Sequence, residues 1–326
     1  MQPQFDIVIV GAGLAGLSAA DELATAGFKT LLIDKGRSPG GRLASRSFGG
    51  ATFDHGAQFF TTRSERFKAT ASQWVEAGLV KPWFNGYPDH PDGHPRYRGE
   101  PSMNAIAKAL AGGKNLLLST RVEVIETDDQ GWQVHTDRDQ TFSCRAVLFT
   151  CPVPQTLTLL TNSHITLPSP LGSRLAYIEY DPCIAVLAVL DSPAKLPAPG
   201  ALALNEGPID WISDNQKKGI SPIPAVTLHA SATFSTDNFN RDRETVGLEL
   251  IELARPIIGS ANINQFQVHG WKYSKPRTTD REPCLSVNDF CAVPPLVLAG
   301  DAFAGPKFEG AVSSGWAAAS QLLKVL

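Results

Sequence analysis

The first 34 residues constrain this chain more than any other stretch. Phe5-Asp-Ile-Val-Ile-Val10 is an apolar, β-branched run of the kind that forms a strand buried on both faces. Gly11-Ala-Gly-Leu-Ala-Gly16 follows at once, and small and apolar residues then recur at helical spacing from Leu14 to Ala26. Gly27 ends that helix, and Thr30-Leu-Leu-Ile33 reads as a second strand closing on Asp34. Strand, glycine turn, helix and strand make one complete βαβ unit. A bare GxGxxG would say little, but in this setting each glycine has a task. Gly11 permits the tight turn, Gly13 lets a pyrophosphate approach the backbone, and Gly16 lets helix and strand pack closely. The helix N-terminus offers free N–H groups and a partial positive charge to phosphates. Asp34 is placed to accept hydrogen bonds from adenosine ribose hydroxyls, and a 2′-phosphate would meet a like charge there. The pattern predicts a bound FAD or NAD and disfavours NADP.

Composition removes other classes. With 326 residues the chain is long enough for two domains. Its 29 Lys+Arg against 32 Asp+Glu leave a net charge of −3, so no basic surplus marks a nucleic-acid or membrane-surface binder. An apolar share of 43% against 19% charged residues suits an ordered globular protein. The five cysteines (Cys144, Cys151, Cys183, Cys284, Cys291) are scattered and form no CxxC, which argues against a disulfide framework or a zinc site and for a reducing compartment. The N-terminal apolar run lacks a basic leader and carries Asp6 and three glycines, unlike a signal peptide. No apolar stretch has the length to span a bilayer, so a soluble cytoplasmic protein is expected.

Further along, 37–62 is rich in Gly, Ser and Arg and reads as extended loop, 64–78 as helix, 81–99 as irregular, and 102–110 as helix. Short strands are expected at 116–119, 122–126, 132–136 and 146–150, with a hairpin turn at Asp128-Asp-Gln-Gly131. Helices follow at 155–160 and near 243–255, strands at 184–190, 225–231 and 266–271, with Pro-rich loops between them. Pro295-Leu-Val-Leu-Ala299 reads as a buried strand and 310–323 as a closing helix. That last strand and helix cannot make a core alone, so they are expected to return to the N-terminal sheet. The fold class is therefore α/β, a Rossmann-type domain with a second, mixed-sheet domain. We place the dinucleotide-binding domain at 1–62, 101–155 and 281–326 and the substrate domain at 63–100 and 156–280.

Residues beyond the fingerprint favour FAD over NAD. Gly40-Gly41-Arg42 brings a cation near the phosphates, unless Arg42 is a solvated loop charge. Gly300-Asp301 follows a buried strand, and Glu309-Gly310-Ala311 opens the last helix. A second helix N-terminus aimed at the flavin O2/N1 edge would stabilise negative charge arising there on reduction. Asp301 either binds ribityl hydroxyls or caps a turn.

With Phe53-Asp-His-Gly-Ala-Gln-Phe-Phe60-Thr-Thr-Arg63, Thr150-Cys-Pro-Val-Pro-Gln155, Leu228-His-Ala-Ser231 and His269-Gly-Trp-Lys-Tyr-Ser-Lys-Pro276 added to those motifs, the sequence resembles the renalase family over nearly its whole length, and bacterial renalases most. That family is a branch of the flavin amine oxidase superfamily with the p-hydroxybenzoate-hydroxylase type of fold. The loop Ala302–Phe308 departs from its pattern. The resemblance implies noncovalent FAD held around Gly13 and Ala15, by Asp34, Lys35 and Arg42, and by Gln58-Phe59 beside the ring. It further implies a backbone contact from Val122 to the adenine, and Asp301 with Gly310, Ala311 and Val312 at the ribityl and pyrimidine end. It also implies the reaction: oxidation of dihydronicotinamide isomers, reduced at the 2 or 6 position, to NAD(P)+ with hydrogen peroxide formed from O2.

Loss of hydride from a dihydropyridine gives an aromatic cation directly, so positioning matters more than a general base. No Ser/His/Asp constellation and no HxxxH pair is present, and no catalytic residue is assigned. Candidate substrate-binding residues are His229, His269, Trp271, Tyr273 and Phe59. His229 lies in an apolar–polar alternation and is equally readable as a satisfied core or surface histidine. His269, Trp271 and Tyr273 share one face if their strand is regular, either as ordinary packing or as a wall for a nicotinamide. Phe59 and Phe60 point to opposite faces if extended, and His55 reads as structural. A single dinucleotide fingerprint leaves a nicotinamide substrate to be held by the second domain. The alternatives are an amine oxidase with those aromatics as a cage, a polyene desaturase or isomerase, and a non-catalytic flavin protein.

Overall fold

In a computed structural model, residues 4–87 and 90–326 are described. The chain divides into two compact units, Met1–Gly41 with Ala107–Glu179 and Pro276–Leu326, and Arg42–Ile106 with Tyr180–Lys275. Both are discontinuous. Residues 42–62 and 101–106 cluster with the second unit, and 156–179 and 276–280 with the first.

The first unit is built on an eight-stranded sheet whose path runs Leu285–Ser286, Leu296–Leu298, Thr141–Phe149, Phe5–Val10, Thr30–Ile33, Leu116–Leu117. Phe5–Val10 sits between two parallel neighbours, Ile7 opposite Thr30 on one side and opposite Ala146 on the other, and Ile7, Val8 and Ile9 are fully buried. This is why its sequence runs apolar without alternation. The strand Leu296–Leu298 returns to this sheet, parallel to Thr141–Phe149, and the closing helix Phe308–Val325 packs on Leu14–Thr25. Thr141–Phe149 is longer than expected because it serves three partners. Its first residues pair antiparallel with Gly131–Thr136, and its later ones pair parallel with Phe5–Val10 on one side and Leu296–Leu298 on the other. The polar residues Ser143 and Arg145 hide that continuity.

The second unit has a five-stranded sheet, in the order Ala201–Ala203, Ile209–Asp214, Ala225–Ala230, Tyr180–Leu190, Ile263–Pro276. Helix Arg243–Ile258 covers one face through Val246, Leu250, Ile251 and Ala254, packed with Ile212, Val226 and Leu228. The other face carries Phe53, Leu187, Val189 and Ala225 and is left for the residues described below.

Three sequence expectations are corrected here. The stretch 37–62 is not all loop: Ser45–Phe48 and Ala51–Asp54 form a hairpin around Gly49 and Gly50, both at positive φ, with Phe48 stacked on Phe53. Two such glycines are what a tight hairpin turn requires. The stretch 81–99 is not irregular: Val80–Tyr87 and His90–Gly99 pair antiparallel, with register shifts absorbing the prolines. Residues 88–89 of that stretch lie outside the described residues. Finally, Ala201–Ala203, Ile209–Asp214, Ser169–Ala176 and Ala232–Asn238 are elements where loops were expected.

Candidate functional site

In the first unit the glycine turn forms as its spacing demands. Gly11, at φ +114, donates its N–H to the Ile33 carbonyl at 2.8 Å, and the Thr150 hydroxyl donates to its carbonyl at 3.0 Å. A side chain on Gly16 would overlap that same Gly11 carbonyl. Gly13 behaves differently. Its φ of −77° and ψ of −177° suit any residue, and a Cβ built on it meets no atom within 4 Å. Nothing in the chain's own packing requires glycine there. The helix that starts at this point has no side-chain cap and no acid in its first turn, so its first N–H groups keep their pull on an anion. The Asp34 carboxylate accepts from Ala12 N and Gly36 N, both at 2.7 Å, which fixes it at the turn and leaves lone pairs on each oxygen. The Pro39-Gly-Gly loop folds over the turn through a 2.7 Å bond from Gly40 N to the Ala12 carbonyl. Open space over Gly13, bare helix N–H groups and an oriented acid fit the pyrophosphate and ribose of a dinucleotide. Lys35 reaches the Gln155 amide at 3.1 Å near the surface. Asp34→Ala should weaken FAD binding about tenfold, read by titrating FAD into flavin-free protein, because about 1.5 kcal/mol of charge-assisted bonding is lost.

The other end of the chain adds a second cradle in the same unit. Gly300, at φ +137, donates to Ser314 Oγ at 2.8 Å, and Ser314 donates to the Pro283 carbonyl at 2.6 Å. Asp301 follows, 9% exposed. Lys307 precedes the last helix without capping it, and a side chain on Gly310 would overlap the Gly305 carbonyl. Val312 and Val122 have buried side chains, so what Gly310, Ala311, Val312 and Val122 can offer a ligand is mainly backbone.

In the second unit Arg42 donates from Nη1 to the Ser274 carbonyl at 3.1 Å. Gln58 is fully engaged. Its Nε2 donates to the Asp54 and Gly56 carbonyls, and its Oε1 accepts from Ser213 Oγ (2.9 Å) and Lys218 Nζ (3.4 Å). Its side chain has no group left over for the ligand contact expected of it. Beneath it lies an ion pair between Asp54 and Lys218 at 2.7 Å, with both side chains 0% exposed. Burial, only partly offset by Asp54, lowers the Lys218 pKa. The second Asp54 oxygen accepts from Ser45 Oγ and Met103 N.

Phe59 packs against Trp211 (5.5 Å) and Phe84 (5.9 Å), and Trp83 closes on both Trp211 and Phe84. His229 lies directly opposite Trp211 on the neighbouring strand. His229 Nε2 sits 3.2 Å from the His55 carbonyl, and the same oxygen accepts Trp271 Nε1–H at 2.8 Å. The His55 ring stacks on Trp271 and meets His269 edge-on, and His269 in turn contacts Trp271. His229, His269, Trp271 and Phe59 therefore gather on two neighbouring patches of one sheet face. Tyr273 shares that strand face but pairs with Tyr180.

Burial lowers the pKa of His55 to about 3 and of His229 to about 4, and that of His269 in the same direction. The charged side chains that add to this effect are Arg46, Arg243 and Lys218. The face thus has neutral imidazoles and aromatic rings, with cations around them.

Sequence reasoning missed Trp211, Lys218 and Ser213, which lie in stretches read as loop, and undervalued His55 as a hub. The Asp54-His55-Gly56 turn in front of Gln58 was the available signal.

Residues 83–323 match the family described as flavin containing amine oxidoreductase, and 9–74 match the NAD(P)-binding Rossmann-like domain. Among curated proteins, 55 residues are 49% identical to 4,4′-diapolycopene oxygenase of Methylomonas sp, covering 17% of this chain and 11% of that protein. A further match, 44% identical over 75 residues, is to hydroxyneurosporene desaturase of Rubrivivax gelatinosus, covering 22% of this chain and 14% of that protein. The chain thus matches only a small part of the length of these relatives. Among solved structures, cyclohexylamine oxidase from Brevibacterium oxydans IH-35A superposes with a TM-score of 0.77 at 14% identity, covering 99% of each chain, a likeness of fold. No helix among the described residues is long and apolar enough to cross a membrane.

Proposed function

The chain belongs to the flavin-containing amine oxidoreductase family, with FAD as cofactor, and from that premise we propose that it oxidises dihydronicotinamide isomers, reduced at the 2 or 6 position, to NAD(P)+. The first unit, with Gly11–Gly16, Asp34 and the turns at Gly300-Asp301 and Gly310, is the FAD-binding part, and the second unit receives the substrate. Bound FAD supplies a two-electron acceptor that takes the hydride and passes the pair to O2, so that donor, O2 and one proton give NAD(P)+ and hydrogen peroxide.

The observation that carries this reading is the charge on the sheet face of the second unit. An alkylamine arrives as an ammonium ion and needs a carboxylate to meet it. The carboxylate beneath this face, Asp54, is closed by Lys218, Ser45 and the Met103 amide. The side-chain cations acting on His55 and His269, Arg46 and Arg243, suit the anionic tail of a nucleotide. Phe59, half-buried where it packs on Trp211, offers ring surface to a flat heterocycle, and an aromatic face favours the positive charge that grows as hydride leaves.

Anaerobic stopped-flow mixing tests it. The flavin band should bleach rapidly with 2- or 6-dihydro-NAD(P) and not with cyclohexylamine or putrescine. Readmitting O2 should yield one peroxide per NAD(P)+. Bleaching by the amines alone would replace this reading with amine oxidation.

A further inference from the structure

The second unit places an unusual acceptor beside its aromatic cluster. His229 Nε2 lies 3.2 Å from the His55 carbonyl oxygen, an atom that can only accept. Nε2 must therefore carry the ring proton. In a neutral imidazole the other nitrogen, Nδ1, then presents a bare lone pair. The second interaction on that carbonyl, from Trp271 Nε1–H, holds the His55 peptide in place and so fixes the ring that leans on it. No donor among the described residues bonds His229 Nδ1, and it is not one of the fully buried, unpartnered polar atoms found among them. Other polar groups on this face are used internally: Ser213 Oγ on Gln58, Thr227 Oγ1 on the Asp54 carbonyl, and Lys218 on Asp54. Trp211 stands directly across the strand pair from His229 and carries Phe59 against its ring.

We propose that His229 is a specificity-determining residue that reads the carboxamide of the donor: Nδ1 accepts one carboxamide N–H while the dihydropyridine ring lies against Phe59, which Trp211 backs. The inference rests on the dihydronicotinamide reading above and adds the group by which that ring is recognised. An acceptor locked in this tautomer discriminates by chemistry. A carboxamide can donate to it. A carboxylate at the same ring position cannot, and it would set its own lone pairs and charge against Nδ1. The nicotinic acid counterpart of the substrate should therefore be rejected.

The test measures binding and flavin reduction with matched pairs. Nicotinamide mononucleotide and nicotinic acid mononucleotide are titrated into the FAD-loaded protein, followed by perturbation of the flavin spectrum. The 6-dihydro forms of NAD and of its nicotinic acid counterpart are mixed anaerobically. The natural chain should favour the carboxamide about tenfold or more in both, the worth of about one hydrogen bond. His229→Leu should bring the two mononucleotides to within about twofold of each other, with flavin content and circular dichroism unchanged. His229→Gln, which restores an acceptor, should recover part of the preference and guards against reading a packing defect as a lost contact. If His229→Leu keeps the full preference while 6-dihydro-NAD still bleaches the flavin, the assignment of His229 fails and the dihydronicotinamide reading stands. If no dihydronicotinamide bleaches the natural chain, both fail together.

Discussion

Lys218→Met should lower the melting temperature by on the order of 10 °C, a loss of about 3–5 kcal/mol, followed by circular dichroism at neutral pH. The cause is what remains behind. Asp54 and Lys218 are wholly buried at 2.7 Å from one another, and the aspartate also holds the Ser45 hydroxyl and the Met103 amide. Taking the ammonium away leaves a carboxylate in a region that water does not reach, with two neutral donors in place of a cation. Gln58 Oε1 would also lose a donor, although Ser213 still serves it. Methionine fills much of the volume, so little of the loss comes from a cavity. The double variant Lys218→Met with Asp54→Asn removes the stranded charge and should regain most of the lost stability, which a purely steric account would not predict. If the double variant is as unstable as the single one, the charge argument is wrong.

How much of this was legible in the sequence follows from the range over which each feature is decided. The βαβ unit is local: strand burial, turn glycines and the acid at Asp34 are all set within residues 5–34, and the structure places them as read. The return of Leu296–Leu298 and the closing helix to that sheet was also readable, because neither could bury its apolar residues alone. The hairpins at 45–54 and 80–99 were not, since Gly, Pro and Arg there mask an alternation that matters only once a partner strand is present. Lys218 was invisible for a different reason. It stands in a turn far along the chain from Asp54, and no local pattern links the two. His229 and Trp211 illustrate the middle case. The alternation around His229 was visible, but its partner lay in a strand that Pro-rich flanks disguised as loop, so the pairing that gives His229 a surface to work with could not be seen.

The sharpest separation of folding from binding is expected at two glycines of one motif. Gly16→Ala should be strongly destabilising, because its methyl would overlap the Gly11 carbonyl and the Thr150 hydroxyl lies on the same side. The helix would have to move away from the strand that starts the sheet, so a loss of soluble, folded protein is expected whether or not flavin is supplied. Gly13→Ala should do the reverse. That residue has extended backbone angles open to alanine, and the added methyl meets no protein atom within 4 Å. Flavin-free protein should therefore melt within about 1 °C of the natural chain, as expected for an exchange that creates neither clash nor cavity. The methyl does project into the space over the helix N-terminus, where the pyrophosphate has to lie against bare N–H groups. Overpacking of about 1–3 kcal/mol there corresponds to roughly 5- to 150-fold weaker FAD binding, read by fluorescence titration of the flavin-free protein. Gly13→Ala that binds FAD undiminished would show that the dinucleotide does not cross this turn, and the placement of its phosphates on the first helix would have to be abandoned.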